Sequence, residues 1–543
     1  MTTGTVAQER TAEKVLLGDE AVGLGAVHAG VSAAYAYPGT PSTEILEYLI
    51  QYAAKKGGPK ARWCANEKTA YEAALGVSMV GRRALVAMKH VGLNVAADPF
   101  VNSALVSING GVVLAVADDP GMHSSQNEQD SRFYADFARV ICLEPADQQE
   151  AYDMTREAFD LSERFKVPVL LRLVTRLAHS RAVVKVGGER GESPVRKAAD
   201  PTGWTLLPPN ARRQWRALIE RTPEIRTFIE GCRWNTLVLN EKEPDLGIIT
   251  TGIARNYYVE NLKDLPARPS HLHIGAYPAP FGKIRALARH VRTILVIEEG
   301  YPHVERALRG ILPPSLEIRG KESGHLPPDG EMTPDIARAA LGLPARKGVV
   351  VEGLKLPGRP PQLCPGCPHA DAFTALKKAL SGYERSLVTS DIGCYTLGAY
   401  PPYGAIESCV CMGASVSMAK GAADAGFHPV VAVIGDSTFL HSGVTPLMDA
   451  VSTNVRMTVI ILDNEVVAMT GTQPTILPSS RLRSLVVGLG VEEDHCHVVE
   501  AHPKKVDAIA DLMRREFEHP GVSVIIPVRE CLESARKSKP AGK

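Results

Sequence analysis

Apolar runs typical of buried strands alternate with segments typical of helices along most of this chain. In the first 190 residues the pattern predicts strands at 33–37, 84–88, 112–117 and 167–172. It predicts helices at 19–29, 43–55, 67–80 and 148–165. Strands that alternate with helices indicate an α/β domain whose parallel sheet is covered on both faces.

The same alternation returns in two later stretches. One begins near Asp245 and ends near Pro344, with strands predicted at 246–251 and 293–297 and helices at 257–262 and 303–308. The other has strands predicted at 387–390, 430–434, 458–462 and 522–527. The segments between domains are a Gly/Arg/Ser/Pro-rich linker (186–205), a charged helix expected to be exposed (208–232), and a Lys/Pro/Gly-rich connector (346–361). We therefore predict α/β domains at 1–190, 241–345 and 362–543, with a linker and exposed helix at 191–240.

Composition narrows the class of protein. The chain has 543 residues, of which 45% are hydrophobic and 22% are charged, as is ordinary for a globular protein. Lys and Arg number 61 against 60 Asp and Glu, so no basic field favours nucleic acid or a membrane surface as a partner. The polar N-terminus lacks the apolar region of a signal peptide, and no apolar run is long enough to span a bilayer. We therefore expect a cytoplasmic protein.

The segment GDSTFLHSGVTPLMDAVSTNVRMTVIILDN, residues 435–464, is the most informative part of the chain. Asp436 follows one apolar run and Asn464 follows the next, and the residues between them suit a crossover helix and a second parallel strand. Both side chains would then lie at neighbouring strand ends, where ligands bind in open α/β sheets. One carboxylate and one amide oxygen suit Mg²⁺, which also takes phosphate oxygens. The alternative is an ordinary βαβ unit with a polar turn at each end.

Seven of the ten cysteines follow residue 360. Four of them, in the segments CPGCPH, SDIGC and RECLE, would lie at three strand ends: Cys364, Cys367, Cys394 and Cys531. Four thiolates suit a [4Fe–4S] cluster and, on ligand count alone, structural zinc nearly as well. Cys409 and Cys411 are rivals for the third and fourth positions. Buried reduced thiols are the remaining alternative.

Two motifs near the N-terminus place polar groups at helix starts. YPGTPSTE, residues 37–44, is typical of a strand end, a turn and a helix start that Thr40 or Ser42 could cap. Exposed N–H groups and the Thr40 hydroxyl would suit a carboxylate anion. Glu67 begins a Gly/Ala-rich helix, where an acidic residue commonly pairs with the helix dipole.

Segments spread over nearly the whole chain resemble the alpha subunits of indolepyruvate:ferredoxin oxidoreductases, within the thiamine diphosphate-dependent 2-oxoacid:ferredoxin oxidoreductase family. They are LLGDEAVGLGAVHAGV, YPGTPSTEI, NEKTAYEAALG, SSQNEQDSR, VIEEG, RPPQLCPGCPH, SDIGCYTLG, CMGASVSMAKG, GDSTFLHSG and LDNEVVAMTGTQP, with RECL near residue 531. Residues 435–464 resemble the family's GDG…NN motif, with Ser437 replacing its last Gly and Asp463 its first Asn. The resemblance implies a pyrimidine-binding domain, a transketolase-C-like domain and a diphosphate-binding domain, in that order.

The resemblance also implies roles for single residues. Glu67 would activate the aminopyrimidine of thiamine diphosphate, and Thr40 would contact the substrate carboxylate. The implied Mg²⁺ ligands are Asp436, Asn464 and the carbonyl of Val466. The further residues implied to approach the cofactor are Gly413, Ala414, Ser415, Gly435 and Ser437.

The same resemblance assigns the four thiolates of Cys364, Cys367, Cys394 and Cys531 to the cluster nearest thiamine diphosphate, leaving Cys409 and Cys411 as alternatives for the fourth ligand. His369 would lie beside that cluster and the thiazolium. For His369 both a structural hydrogen bond and proton transfer remain open.

The function implied is oxidative decarboxylation of an aryl 2-oxoacid, of the indolepyruvate or phenylpyruvate type, to its acyl-coenzyme A. Electrons would pass through the [4Fe–4S] cluster to ferredoxin or to a cluster-bearing subunit. A smaller beta subunit would complete the enzyme, as a dimer of heterodimers. The alternatives are a non-oxidative thiamine diphosphate-dependent decarboxylase or carboligase with structural cysteines, and a non-catalytic partner subunit.

One feature departs from the family pattern. Such alpha subunits usually end in a ferredoxin-like tail with two cysteine-rich cluster motifs. Here twelve residues follow Cys531, without a C-x-x-C-x-x-C run. We therefore expect electrons to leave the proximal cluster directly to a partner or through another subunit.

Overall fold

The computed structural model describes residues 12–242, 245–348, 353, 358 and 361–538. Two compact units divide the chain, Met1–Val350 and Val351–Lys543. Both are built from sheets flanked by helices, so the predicted α/β class is confirmed. None of the helices in the described ranges combines the length and the apolar character that crossing a bilayer requires.

The larger sheet of the first unit has seven strands. Their order across the sheet is Ala276–Tyr277, Ile141–Leu143, Val169–Val174, Val112–Asp118, Ala84–Lys89, Ala33–Ala36 and Lys60–Trp63. All pairings are parallel except that of the first-named edge strand. The central strand Val112–Asp118 is buried at every position, as expected where helices cover both faces of a parallel sheet.

Helices and a short hairpin surround this sheet. The helices are Gly18–His28, Thr43–Lys56, Glu67–Met79, His90–Val95, Ala97–Ser103, Arg132–Ala138, Gln148–Phe165 and Thr175–His179. Strand Ala12–Leu17 pairs antiparallel with Arg181–Val186. Helix Gln148–Phe165 occurs at the predicted residues, and the other predicted elements of this region differ from the observed ones by one or two residues. Strand 167–172 is displaced most, to Val169–Val174, because Pro168 has no N–H for the ladder.

A second sheet in the first unit has five strands. Their order is Glu317–Arg319, Thr293–Ile297, Leu246–Thr251, Ser270–Ile274 and Asn235–Val238, and only the last pairs antiparallel. The helices of this part are Pro208–Gly231, Ala254–Asn261, Phe281–His290, His303–Arg309 and Pro334–Ala340, with 3-10 turns at Pro201–Trp204 and Leu262–Asp264. One continuous hydrophobic core joins the two sheets.

The helix Pro208–Gly231 corrects the expectation of an exposed helix at 208–232. Leu218, Ile225 and Ile229 are buried and belong to the shared core of the first unit. The three positions recur at helical spacing and so lie on one face. The run of charged residues between them concealed this apolar face from the sequence reading.

The second unit has a five-stranded sheet that is parallel throughout. The strand order is Leu387–Ser390, Val430–Gly435, Met457–Leu462, Val522–Val528 and Cys496–Glu500. The helices are Pro368–Leu380, Ala414–Asp424, Asp436–Thr438, Val444–Ser452, Ser479–Gly488, Val506–Phe517 and Leu532–Ser538, with a π-helical turn at Phe439–Gly443. Shorter elements are a β-ribbon of Val466–Val467 with Gln473–Pro474 and 3-10 turns at Cys394–Ala399, Ala468–Thr470, Glu493–His495 and Pro503–Lys505.

Alternate residues of one central strand enter different cores in this unit. Val431 and Val433 pack with helices Pro368–Leu380 and Val506–Phe517, whereas Ala432 and Ile434 pack with Ala414–Asp424 and Val444–Ser452. Successive strand side chains point to opposite faces, so helices cover both sides of the sheet. The carboxyl ends of the strands are left to carry the polar motifs.

Candidate active site

Asp436 and Asn464 lie at the carboxyl ends of adjacent parallel strands, as the spacing predicts. Gly435 is in register with Leu462, the residues that end these two strands. Asp436 follows the first strand, and Asp463 and Asn464 follow the second. The connection between the strands is helical, through Asp436–Thr438, Phe439–Gly443 and Val444–Ser452.

The Asp436 carboxylate is buried among backbone N–H groups. It accepts hydrogen bonds from the N–H of Ser437 (2.6 Å), Asn464 (3.2 Å) and Glu465 (2.8 Å). Burial, followed by the charge of Asp463, raises the pKa of Asp436 to about 8. A positive ion would offset the electrostatic free energy that it costs to bury two neighbouring carboxylates.

Two polar atoms beside Asp436 also favour a cation at this position. Asp463 Oδ2 and Ser437 Oγ are buried and have no hydrogen-bond partner among the described residues. The other Asp463 oxygen accepts a hydrogen bond from Ser479 Oγ at 2.6 Å. Oxygen atoms that lack hydrogen-bond partners and lie next to a buried carboxylate are suitable ligands for a hard cation such as Mg²⁺.

His369 fixes the side chain of Asn464. The Asn464 Nδ2 amide lies 3.2 Å from His369 Nε2, and because an amide nitrogen only donates, His369 Nε2 accepts. Burial, with a smaller contribution from Arg529, lowers the pKa of His369 to about 4, so the imidazole is neutral at physiological pH. This bond occupies the amide end of Asn464 and leaves Oδ1, which also accepts from Val466 N at 3.3 Å, as the possible metal ligand.

Gly413 begins helix Ala414–Asp424 with φ of 85°, a left-handed conformation that favours glycine. A Cβ at Gly413 would lie 2.5 Å from the carbonyl oxygen of Ser442, in the GDSTFLHSG segment. The glycine therefore lets the helix start approach that segment.

Asp391, which sequence reasoning missed, faces this helix start. Ser415 donates its backbone N–H (2.9 Å) and its hydroxyl to the Asp391 carboxylate. Burial raises the pKa of Asp391 to about 6. The two bonds from Ser415, together with bonds from the N–H groups of Ala414 and Gly413, oppose this rise. The signal was available, because Asp391 directly follows strand Leu387–Ser390, as Asp436 follows its own strand. That Gly413, Ala414 and Ser415 approach a cofactor stays a prediction.

The four thiols nominated from the sequence line one cavity of about 140 Å³. His369 and Asn464 line the same cavity, whereas the exposed Cys409 and Cys411 do not. Burial raises the pKa of Cys394 to about 12, and the next contributions come from the other three thiols, Cys367, Cys531 and Cys364. The tertiary structure thus groups Cys531, rather than Cys409 or Cys411, with the CPGC pair.

Spacing within this group bears on the kind of metal centre. A tetrahedral zinc ion with Zn–S bonds of about 2.3 Å holds its sulfurs roughly 3.8 Å apart. In the described part of the chain, the sets of three or more ligand atoms lying within 4.8 Å of one another include none of these cysteines. That these four thiols hold a [4Fe–4S] cluster rather than zinc stays a prediction.

Arg529, in the RECL segment, ties the last strand to the CPGC turn. It donates to the carbonyl of Gly366 (2.8 Å) and forms an ion pair with Asp371 (2.8 Å). Gly366 has φ of 80° within the turn, where Cys367 N donates to Cys364 O at 2.9 Å. Arg529 therefore positions the segment that carries Cys531 beside Cys364 and Cys367. The sequence reading did not single it out.

In the first unit, Glu67 is the first residue of helix Glu67–Met79 and its side chain is buried. Gly92 packs against it so closely that a Cβ at Gly92 would lie 2.5 Å from Glu67 Oε1. Lys89 is nearby, and its pKa falls to about 8 because burial outweighs the charges of Asp119 and Glu67. A buried carboxylate and a cation thus share one edge of the seven-stranded sheet.

Thr40 lies at the same edge and is partly exposed. Its carbonyl accepts a hydrogen bond from Ser124 Oγ (3.3 Å), and Lys89 Nζ donates to Ser124 O (3.0 Å). Ser42, one of the two residues expected to cap helix Thr43–Lys56, does precede that helix. Its hydroxyl does not cap the helix, because it donates to Gly39 O at 2.8 Å instead of accepting from a helix N–H. Lys89 is a further residue that the sequence reading missed.

Two models of thiamine diphosphate-binding families match this chain. Residues 24–213 match the family model described as pyruvate flavodoxin/ferredoxin oxidoreductase, thiamine diphosphate-binding. Residues 391–526 match the model of the C-terminal thiamine pyrophosphate-binding domain of thiamine pyrophosphate enzymes. The two matches contain the Thr40–Glu67 edge and the Asp436–Asn464 edge, respectively.

Curated relatives match over nearly the full chain. Indolepyruvate oxidoreductase subunit IorA of Archaeoglobus fulgidus is 38% identical over 97% of this chain and 88% of its own length. The subunits of the same name from Methanothermobacter thermautotrophicus (38%; 96% and 87%) and Thermococcus kodakarensis (36%; 97% and 87%) are similar. A solved 2-oxoglutarate:ferredoxin oxidoreductase from Magnetococcus marinus shares the fold, with a TM-score of 0.51, 18% identity, and coverage of 61% of this chain and 65% of that one.

Proposed function

Because this chain belongs to the family of indolepyruvate oxidoreductase IorA subunits, which are thiamine diphosphate-dependent 2-oxoacid oxidoreductases, we propose that it oxidatively decarboxylates an aryl 2-oxoacid to its acyl-coenzyme A. The observation that carries the proposal is the cavity lined by Cys364, Cys367, Cys394, Cys531, His369 and Asn464. It joins a proposed Mg²⁺ ligand to four thiols, so electrons released at the cofactor would have a short path to an iron–sulfur cluster.

Thiamine diphosphate, when bound, supplies the electron sink that decarboxylation of a 2-oxoacid requires. In this proposal Asp436, Asn464 and the Val466 carbonyl hold Mg²⁺ at the diphosphate. Glu67 holds a proton at N1′ of the aminopyrimidine, a role that suits a buried carboxylate kept in one position by Gly92. His369 positions Asn464 and, being neutral, adds no charge beside the metal.

Substrate binding is proposed at the edge of the first unit that carries Thr40. The Thr40 hydroxyl and the Lys89 ammonium would contact the substrate carboxylate. The Lys89 stem packs against Gly39, where an added Cβ would lie 3.2 Å from Lys89 Cδ, and this places the amine near the YPGTPSTE turn. A partly buried cation such as Lys89 binds an anion more strongly than a fully exposed one.

A smaller beta subunit would complete the enzyme, in a dimer of heterodimers. The electron acceptor would be ferredoxin or a cluster-bearing electron-transfer subunit. The partly exposed rim of the thiol cavity, where Cys364 is exposed and Cys367 is half-buried, supports delivery of electrons to a docked protein.

Anaerobic purification followed by an absorption spectrum tests the proposal. We expect a broad band near roughly 400 nm that is bleached by indolepyruvate in the presence of thiamine diphosphate and Mg²⁺. Iron and acid-labile sulfide should be present in equal amounts. A colourless protein that releases CO₂ from the 2-oxoacid without reducing an acceptor would instead establish the non-oxidative alternative.

A further inference from the structure

The first unit contains a further group of acidic and imidazole side chains. Asp19, Glu44 and His179 come from helices Gly18–His28, Thr43–Lys56 and Thr175–His179. One ligand atom from each lies within 4.8 Å of the other two. The proposed catalytic roles use none of these three side chains.

Asp19 is the unusual member of this group. Its side chain is fully buried, at 0% exposure, and neither carboxylate oxygen accepts a hydrogen bond from an N–H or hydroxyl donor among the described residues. The neighbouring carboxyl group within hydrogen-bonding range is that of Glu44. A buried carboxylate without a donor or a cation is costly. The charges that act most on Asp19 come from Glu44 and Glu20, which are both acidic.

The other two members open the group to solvent. The side chains of Glu44 and His179 are 35% and 34% exposed, and Glu44 Oε2 lies 3.4 Å from His179 Nε2. A metal ion could therefore enter from this side and keep a water molecule as a further ligand. Glu20 is engaged elsewhere, because it accepts from the Leu17 N–H at 2.8 Å.

Local sequence explains why residues so distant in the chain meet here. Gly18 lies against the backbone carbonyl of Leu177, with no room for a Cβ between them. This contact brings the start of helix Gly18–His28 against helix Thr175–His179, two residues before His179. Glu44 reaches the same place from the first turn of its own helix, just after the YPGTPS segment.

We propose that Asp19, Glu44 and His179 bind a divalent first-row transition-metal ion. Two carboxylate oxygens and one imidazole nitrogen suit Mn²⁺, Fe²⁺ or Zn²⁺ better than Mg²⁺, which avoids nitrogen ligands. Metal bonds of about 2.0–2.2 Å allow ligand atoms up to roughly 4.2 Å apart, so only small side-chain shifts are needed. The ion neutralises the buried Asp19 and joins three helices of the first unit.

The alternative account of the same side chains is a shared proton. Burial, Glu44 and Glu20 raise the pKa of Asp19 well above its usual range, so a protonated Asp19 could face Glu44 without any ion. The two accounts differ in one measurable quantity, which is the number of metal ions bound per chain.

Equilibrium dialysis of the full chain against micromolar Mn²⁺ tests the proposal. The protein should lack thiamine diphosphate and carry Asp436→Asn, which removes the proposed diphosphate-side ion from the count. We expect one bound Mn²⁺ per chain, lost in the further variants Asp19→Asn and His179→Gln. We also expect Mn²⁺ to raise the melting temperature of the parent and of neither further variant.

His123→Gln is the matched control. His123 also pairs with a carboxylate, at 3.5 Å from Glu331, but belongs to no three-ligand group in the described ranges. It should keep the bound ion. His179→Gln alters a partly exposed side chain, so it tests the site even if Asp19→Asn folds poorly. Absence of a bound ion, or an ion that remains in both Asp19→Asn and His179→Gln, would overturn the metal site and leave the shared proton.

Discussion

The Asn464 side-chain amide donates a hydrogen bond to His369 Nε2 over 3.2 Å. His369 belongs to the segment CPGCPH, and Asn464 ends the segment that begins with Gly435. One hydrogen bond thus joins the proposed cluster segment to the proposed Mg²⁺ segment. We infer a positioning role for His369, because a buried imidazole with a pKa of about 4 accepts this bond without becoming charged.

Substitution of His369 by Phe should weaken cofactor binding. The ring remains but the acceptor is lost, so Asn464 can rotate its amide nitrogen toward the metal. Loss of such an orienting partner typically costs roughly 10–100-fold in metal affinity. The measurement is the apparent affinity for Mg²⁺ and thiamine diphosphate, followed by activation of the apoenzyme. Unchanged affinity in His369→Phe, with lower turnover, would instead indicate proton transfer by His369.

Paired variants test which cysteine supplies the fourth ligand of the proposed cluster. Cys531→Ser should lose iron and the broad visible absorption, because Cys531 lines the cavity with the three other thiols. Cys411→Ser is the matched control, since Cys411 is exposed and lies outside that cavity. It should keep the iron content of the parent. The opposite pattern would transfer the fourth ligand to Cys411.

Glu67→Gln should lower turnover by roughly 10²–10⁴-fold, the usual contribution of a positioned acid–base group. The amide keeps the shape of the side chain, so thiamine diphosphate should still bind. Glu72→Gln is the control, because Glu72 lies on the same helix but is exposed and paired with Lys68. Steady-state kinetics with saturating cofactor distinguish the two. Equal turnover in both variants would remove Glu67 from the proposed mechanism.

Gly92→Ala should impair the same step by displacing Glu67. An added methyl group at Gly92 would lie 2.5 Å from Oε1 and 2.7 Å from Cγ of Glu67, so the carboxylate must move. A displacement of this size can cost on the order of 100-fold in rate. Gly76→Ala, on the Glu67 helix, meets nothing within 4 Å and should instead stabilise the helix by up to about 1 kcal/mol. Turnover and melting temperature, measured for both variants, check the contrast.

His28 should make the first unit sensitive to acid. It is buried and its Nδ1 lies 2.7 Å from the Tyr152 hydroxyl, and burial lowers its pKa from 6.5 to about 4. As the pH falls, His28 therefore becomes protonated in the unfolded chain at a higher pH than in the folded protein. The contribution of the neutral His28 imidazole to the free energy of unfolding is complete above pH 6.5. It is lost as the pH falls from 6.5 to about 4.

The loss would be about 3 kcal/mol, at 1.4 kcal/mol per pKa unit. His28→Gln removes the titrating group. The unfolding free energy of the wild type should fall more steeply than that of His28→Gln between pH 7 and 4.5. Parallel pH profiles for the two proteins would show that His28 does not carry this dependence.

The sequence by itself determined the α/β class and most of the elements. Strands Leu246–Thr251, Thr293–Ile297 and Leu387–Ser390 occur at the predicted residues because a run of apolar residues between polar turns favours a buried strand. Strand register follows from that local pattern, so the sequence also placed Asp436 and Asn464 at neighbouring strand ends. The recognised motifs likewise indicated the family that the comparisons confirm.

Only the tertiary structure decided which distant groups meet. Spacing could not choose between Cys531 and Cys411, because the choice depends on Arg529 holding the last strand to the CPGC turn. The contact of Gly92 with Glu67, and of Gly18 with Leu177, likewise depends on helix packing between residues far apart in the chain. Local propensity acts over a few residues, whereas burial and close packing act between elements, so the polar groups that these contacts assemble appear only in the folded chain.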